Sequence, residues 1–359
     1  MKNINDLHTT GKSSRNIQSK KTKGFGYQVL GFGSGGGLPT IIEATGGTIT
    51  CSGSYRIHTF TGPGTFEVTK VAPGPSGHPN SMDYLVGAGG GGGGSCCAGG
   101  GGGGGGYRES PGTATGCYSV SPRGVSPAAA LTASVQSYPI TVGGGGTAGG
   151  DACQGPRPTT LAGKGADSIF STITSTGGGL GASFPNSGGD GGSGGGAAHA
   201  NCNPAGSGNT PPTAPFPPQG TNGVTPSPAV DDLAGAGGGA TVAAANTPTS
   251  RAGGTGGTTS ITGGAVSYGG GGGGGVRNGA PPNADKDAFW PNASTCGSGG
   301  RGGLGFCAGS SSPIPQATGA NGPDNKSGGG GGAARTDGPT YHKGGVGGSG
   351  VVIIRYKFQ

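Results

Sequence analysis

Short runs in which β-branched and aromatic residues mix with polar ones fill the first quarter of the chain. TIIEA (40–44), TITC (48–51), YRIHTF (55–60), TFEVTKV (65–71) and DYLVG (83–87) are separated by Gly-Gly, Gly-Pro-Gly and Pro-Gly-Pro turns, the signature of consecutive strands. In TFEVTKV, Phe66, Val68 and Val71 nearly alternate with polar neighbours, as on a half-buried sheet. The closing nine residues, VVIIRYKFQ, return to strand character. No segment carries the 3.6-residue period of a helix. The expected fold class is all-β with little or no helix.

From 88 to 350 the apolar pattern gives way to glycine. Nearly pure runs recur near 89–106, 143–150, 177–196, 235–239, 253–257, 269–275, 297–305, 328–332 and 344–350, with loops of unlike length between them. Glycine loses more freedom on folding than any other residue, so such runs are either slack tethers or places where only hydrogen fits. Linkers usually mix glycine with serine; the repeated return to pure glycine points to packing. Polyglycine can form an extended left-handed helix with three residues per turn and a rise of about 3.1 Å, whose peptide groups all point outward to neighbours. Ordering a residue costs about 1–2 kcal/mol and a net hydrogen bond returns about 1. One run alone therefore stays disordered, whereas a bundle of runs about 25 Å long, anchored by strands, is ordered cooperatively. The organisation expected is an N-terminal arm (1–36), a β base (37–87), a polyglycine bundle with projecting loops (88–350) and a strand returning to the base (351–359).

Composition sharpens this. Gly (95) and Pro (28) make up about a third of 359 residues, while hydrophobic residues reach 29% and charged residues 10%, too little for a conventional core throughout. The +7 net charge is concentrated at one end. Lys2, Lys12, Arg15, Lys20, Lys21 and Lys23 against Asp6 give about +5 within 23 residues. No basic stripe interleaved with aromatics exists elsewhere, which argues against nucleic acid and for an arm that is solvated or docked on an acidic partner surface. The N-terminus lacks the apolar core of an export signal and no run approaches a membrane span. Synthesis in a cytosol is expected, the protein either staying there or leaving by lysis or inside a larger particle.

Eight cysteines show no CxxC spacing, so no metal is expected. The vicinal pair Cys96–Cys97 interrupts the longest glycine stretch; a staple to Cys117 or Cys153 is one reading, and small side chains in a tight corner is the other. The five histidines are scattered, and Asp231–Asp232 and Asp285/Asp287 lie in loops, so no catalytic constellation and no cofactor are expected. Glycine everywhere without a helix is also not a phosphate-binding loop.

The pieces YRIHTFTGPGTFEV and DYLVGAGGGGGG, with YPITVGGGG (138–146), DSIFSTITSTGGG (167–179), SITGGAVSYGGGGGGG (260–275) and GGVGGSGVVIIRY (344–356), resemble glycine-rich domains of bacteriophage virion proteins, marine phages especially. GFGYQVLGFGSGG (24–36) is similar to a leader on related structural proteins. The resemblance covers about half the chain, all of it framework. It implies a structural protein exposed on the virion, and the nearest analogue is the glycine-rich adhesin of tail-fibre tips, whose loops contact the host. Carried across, the receptor-binding candidates are the loop aromatics Trp290, Phe289, Tyr107, Tyr118, Phe216 and Tyr341, rigid side chains with large contact area. Lys20, Lys21, Lys23, Phe25 and Tyr27 are the candidates for docking to other virion proteins. Expected partners are those proteins, a host surface receptor of protein or glycan, and a further copy of the chain; neither nucleic acid nor membrane insertion is expected. The competing expectation is an architectural capsid decoration or fibre without receptor binding.

Overall fold

The computed structural model describes residues 41–72, 80–96, 98–112, 118–150, 160–199, 203–212, 216–226, 233–245, 252–276, 299, 318–334 and 342–358, and the backbone of 153–154 and 157–158. All of these except Ala72 belong to one compact unit, Ile41–Val71 with Pro79–Gln359. The arm 1–36, with Lys20, Lys21, Lys23, Phe25 and Tyr27, lies outside the described residues.

Among the described residues the protein is all-β, with antiparallel sheets, no helix and no closed barrel. One sheet orders β1 (Glu43–Thr45), β4 (Gly64–Lys70), β8 (Gln136–Thr141), β11 (Ser168–Phe170) and β12 (Ile173–Ser175). The second orders β2 (Thr48–Ser52), β3 (Tyr55–Phe60), β15 (Val351–Lys357), β5 (Ser81–Gly87) and β6 (Tyr107–Glu109), with β7 (Leu131–Thr132) paired to the start of β5. Two small hairpins, β9 (Cys153–Gln154) with β10 (Arg157–Pro158) and β13 (Gly257–Thr259) with β14 (Val266–Tyr268), complete the strands.

The two large sheets form a sandwich. Phe66, Tyr138, Ile140 and Phe170 from the first face Met82, Tyr84, Val86, Val352, Ile354 and Tyr356 from the second. Phe66 and Phe170 meet edge to face, with centroids 6.2 Å apart. Alternation works as read: in β4 only Phe66 and Val68 point inward. β5 and β15 do not alternate, because their other face is also covered. Leu85, Val351 and Ile353 pack with Ile57, Tyr107, Ile261 and Tyr268 under the β13–β14 hairpin, so central strands read as continuous apolar runs. Strands β6, β8, β11 and β12 come from inside the glycine-rich stretch, so that stretch supplies sandwich as well as bundle.

β5 runs straight into the segment 88–95, and the hydrogen bonds there repeat every three residues. Gly89, Gly90 and Gly91 donate to the carbonyls of Ala166, Gly348 and Gly103; Gly92, Gly93 and Gly94 donate to Gly163, Gly345 and Gly100, all at 2.8–3.0 Å. The carbonyls of Gly89, Gly90 and Gly91 accept from Gly178, Gly146 and Gly330, and those of Gly92, Gly93 and Gly94 from Gly181, Gly149 and Ala333. The segment thus touches six others. It runs antiparallel to 100–103, 163–166 and 345–348, and parallel to 146–149, 178–181 and 330–333. The return segment 99–106 is bonded in the same three-residue rhythm to 327–333, 176–182, 235–238, 193–196 and 272–275 as well as to 88–94. This is the hexagonal packing of three-fold polyglycine helices. A Cβ on Gly91 would stand 2.1 Å from the carbonyl oxygen of Gly179, and one on Gly94 would stand 1.9 Å from that of Ala182. No side chain fits there.

Candidate functional site

The register of these bonds places both ends of the bundle. At the sandwich end Ala88 bonds to Gly106, and Gly350 bonds to Gly143. Seven residues on, roughly 22 Å at the rise of such a helix, Ser95 N–H donates to the Ser183 hydroxyl (2.8 Å) and Ala333 N–H to Gly94. Gly149 bonds to Gly93, Gly344 to Gly149, Gly275 to Gly99, and His199 N–H to the carbonyl of Ala98. The described residues of the turn 95–98, together with Gly150, Ser183, His199, Val276 and Ala334, therefore share the end away from the sandwich. This end is the candidate contact surface.

Its described part is held firmly. Cys96 and Ala98 take left-handed conformations (φ 56° and 59°), which turns one glycine helix back onto the next. Cys96 is buried and disulfide-bonded, whereas Cys51, exposed on β2, is a free thiol. Phe184 stands edge-on to His199, centroids 6.2 Å apart, and the Asn203 amide donates to the carbonyl of Pro185. Exposed Asn186 and Leu161 border the same end. Phe289 and Trp290 belong to the segment that follows Val276, and Tyr341 to the one between Ala334 and His342; all three lie outside the described residues, as do Cys97 and Cys117 and the side chain of Cys153.

The other three aromatic candidates sit at the sandwich end, packed rather than presented. Tyr107 is 1% exposed, because YRE is strand β6 and not a loop; the glycine at position 257 leaves room for its ring. Tyr118 is half-buried against the outer core with its hydroxyl 3.5 Å from Ser110 Oγ. Phe216 packs on the inner core, its ring 4.9 Å from the Arg108 guanidinium. A strand directly after eight glycines has no flanking pattern to mark it, which is why Tyr107 was read as a loop residue; Tyr118 and Phe216 do lie outside the strands, and differ from the expectation only in being packed.

That end also holds a buried polar cluster which the sequence did not announce. Arg108 Nε donates to the Thr174 carbonyl at 2.8 Å, and Arg355, over the rings of Tyr55 (4.2 Å) and Tyr118 (5.1 Å), donates to the Ile261 carbonyl. The Ser110 hydroxyl donates to Asp83 at 2.7 Å, and Glu109 Oε2 accepts from the Tyr107 hydroxyl and from Ser121 N–H. Burial pushes the Tyr84 hydroxyl up to about 12 and raises Tyr107, Tyr118 and Glu109. These groups are spent on backbone and on one another, tying loops to the sandwich. Among the described residues no three His, Cys, Asp or Glu side chains gather as metal ligands.

A family model described as a glycine-rich domain matches residues 59–357. The chain belongs to the glycine-rich domain family. The match runs from the end of β3 through β15, so the glycine-rich domain comprises sandwich and bundle together rather than the glycine runs alone. No curated protein matches the chain.

Proposed function

We propose that this glycine-rich domain protein is a virion component that recognises a host surface, as a tail-associated adhesin. The observation that carries the reading is geometric. The bundle is a stiff stalk about 22 Å long, and unlike loops depart together from its end opposite the sandwich. Rigid scaffolding lowers the entropy that a loop loses on binding, and loops on a fixed frame are where recognition concentrates. Trp290 and Phe289, in the segment departing from Val276, are the contact residues proposed. The N-terminal arm is the proposed attachment to other virion proteins. No chemical step is part of the proposal.

The test is an antibody raised against the purified chain and applied to intact particles. Decoration of the tail together with blocked adsorption is the expected result. Decoration of the head with normal adsorption overturns the reading in favour of an architectural protein, and no decoration of any particle overturns its virion origin.

A further inference from the structure

Glu109 is a buried carboxyl group with no counter-charge. It is 1% exposed at the end of β6. Oε2 accepts two hydrogen bonds, from the Tyr107 hydroxyl at 2.7 Å and from Ser121 N–H at 2.9 Å, while Oε1 is buried without a partner. The space beside it, bounded by Tyr107, Arg123, Phe216 and Pro217, is too small to admit a water molecule. The nearby cations are committed to carbonyls. Arg123 Nε donates to Ala240, Arg108 to Thr174 and Pro217, and Arg355 to Ile261. An ionised Oε1 in this place is an uncompensated buried charge, whereas a protonated one leaves only a single hydrogen bond unmade.

We infer that Glu109 is carried as a neutral acid and acts as a proton-dependent clasp between β6, the segment 118–124 and the β13–β14 hairpin. Ser121 belongs to the first of these covers. The second is joined to that cover through the Thr259 hydroxyl and Ser260 N–H, both of which donate to the Ser119 carbonyl. Losing the proton places a negative charge under both covers and favours the opened form, in which water reaches the carboxylate. The glycine bundle, which Glu109 does not touch, stays closed.

The other titratable groups around the clasp are Tyr107 and Arg108 on β6, Asp83 and Tyr84 on β5, Arg355 on β15, Tyr118 and Arg123 on the cover, and Tyr268 on β14 beneath Lys326. Tyr107, Tyr118 and Tyr268 are raised by burial and stay neutral through the working range. Asp83, holding the Ser110 hydroxyl, is the one other carboxyl.

The sign follows from linkage. Burial raises the folded-state pKa of Glu109. The closed form therefore keeps a proton that the open form loses above the ordinary carboxylate range, and closure weakens as pH rises until the raised pKa is passed, then levels off. Hydrogen exchange of the amides in 118–124 and 257–268, corrected for the intrinsic pH dependence, reads this directly. Protection in the native protein is expected to fall by up to about tenfold per pH unit across that window, and in Glu109→Gln to stay flat. Asp83→Asn is expected to keep the step. Equal pH profiles in native protein and Glu109→Gln overturn the inference, as does loss of the step in Asp83→Asn. Should Glu109→Gln fail to fold, the infrared band of a buried protonated carboxyl in the native protein decides: its absence at neutral pH also overturns it.

Discussion

At the scale of single residues, glycine here is a packing choice as much as a conformational one. Gly103 and Gly144 belong to similar runs and are indistinguishable by type. A Cβ on Gly103 would meet the Ser193 carbonyl oxygen at 2.2 Å, whereas one on Gly144 meets nothing within 4 Å and its backbone is not left-handed. Gly103→Val is accordingly expected to destabilise by about 3 kcal/mol or more, since backbone on the far side cannot yield. Gly144→Ala is expected to stabilise by about 0.4–1 kcal/mol, because alanine restricts the unfolded chain at no steric cost. Denaturant midpoints of the two variants check both signs, and equal tolerance at the two positions would remove the case for a close-packed lattice. Cores of side chains obey the usual arithmetic: Phe170, fully buried between the sheets, should cost about 3–5 kcal/mol when cut to alanine.

At the scale of elements, the number of buried glycines per turn tracks the number of neighbours. The central segments 88–94 and 99–106 have partners on all sides and are almost pure glycine. The segment 343–350 has four neighbours, 90–93, 143–149, 319–322 and 328–331, and reads KGGVGGSG, with Lys343 and Val346 exposed and the glycines buried. The segment 143–149 has three, and there only Gly143, Gly146 and Gly149 are buried. Val346→Asp is therefore expected to leave the thermal midpoint within about a degree or two, as surface changes do. Gly347→Ala, whose Cβ would lie 2.0 Å from the Gly90 oxygen, is expected to lower it sharply. This rule also says what the sequence made legible. Long runs announced the lattice, and short β-branched and aromatic runs announced β3, β4 and β15, because each imposes a pattern along the chain. Strand β6 and the burial of Tyr107 were not legible, since three residues between glycine and loop carry no period. The Glu109 cluster was not legible either, because nothing in the pattern shows that the loop amide of Ser121 and the β6 hydroxyl of Tyr107 converge on one buried carboxyl group.

At the scale of the molecule, neither half is expected to be stable by itself. Eight ordered glycines cost about 1–2 kcal/mol each and regain about 1 per bond, so the hairpin 88–106 depends on its neighbours. Those neighbours come from all along the chain: Gly102 alone bonds to Gly330 and Gly272. The first and last runs are in turn aligned by the sandwich, through β5 entering the first and β15 leaving the last with Val351 opposite Gly87. The inner runs cannot loosen while the sandwich holds, and the sandwich cannot keep β6, β8, β11 and β12 in place once the runs between them are slack. Unfolding is expected to be one transition. Near-ultraviolet dichroism of the buried Tyr84 and Tyr356 reports the sandwich, and exchange of the glycine amides at 89–94 and 99–106 reports the bundle. Both should give the same midpoint, and those amides should exchange only through global opening, as slowly as the best-protected amides of β5 and β15. Glycine amides that exchange while the tyrosine signal is intact would show slack tethers hung on a sandwich. Two separated midpoints would show two independent domains, and either result removes the stalk on which the recognition proposal stands.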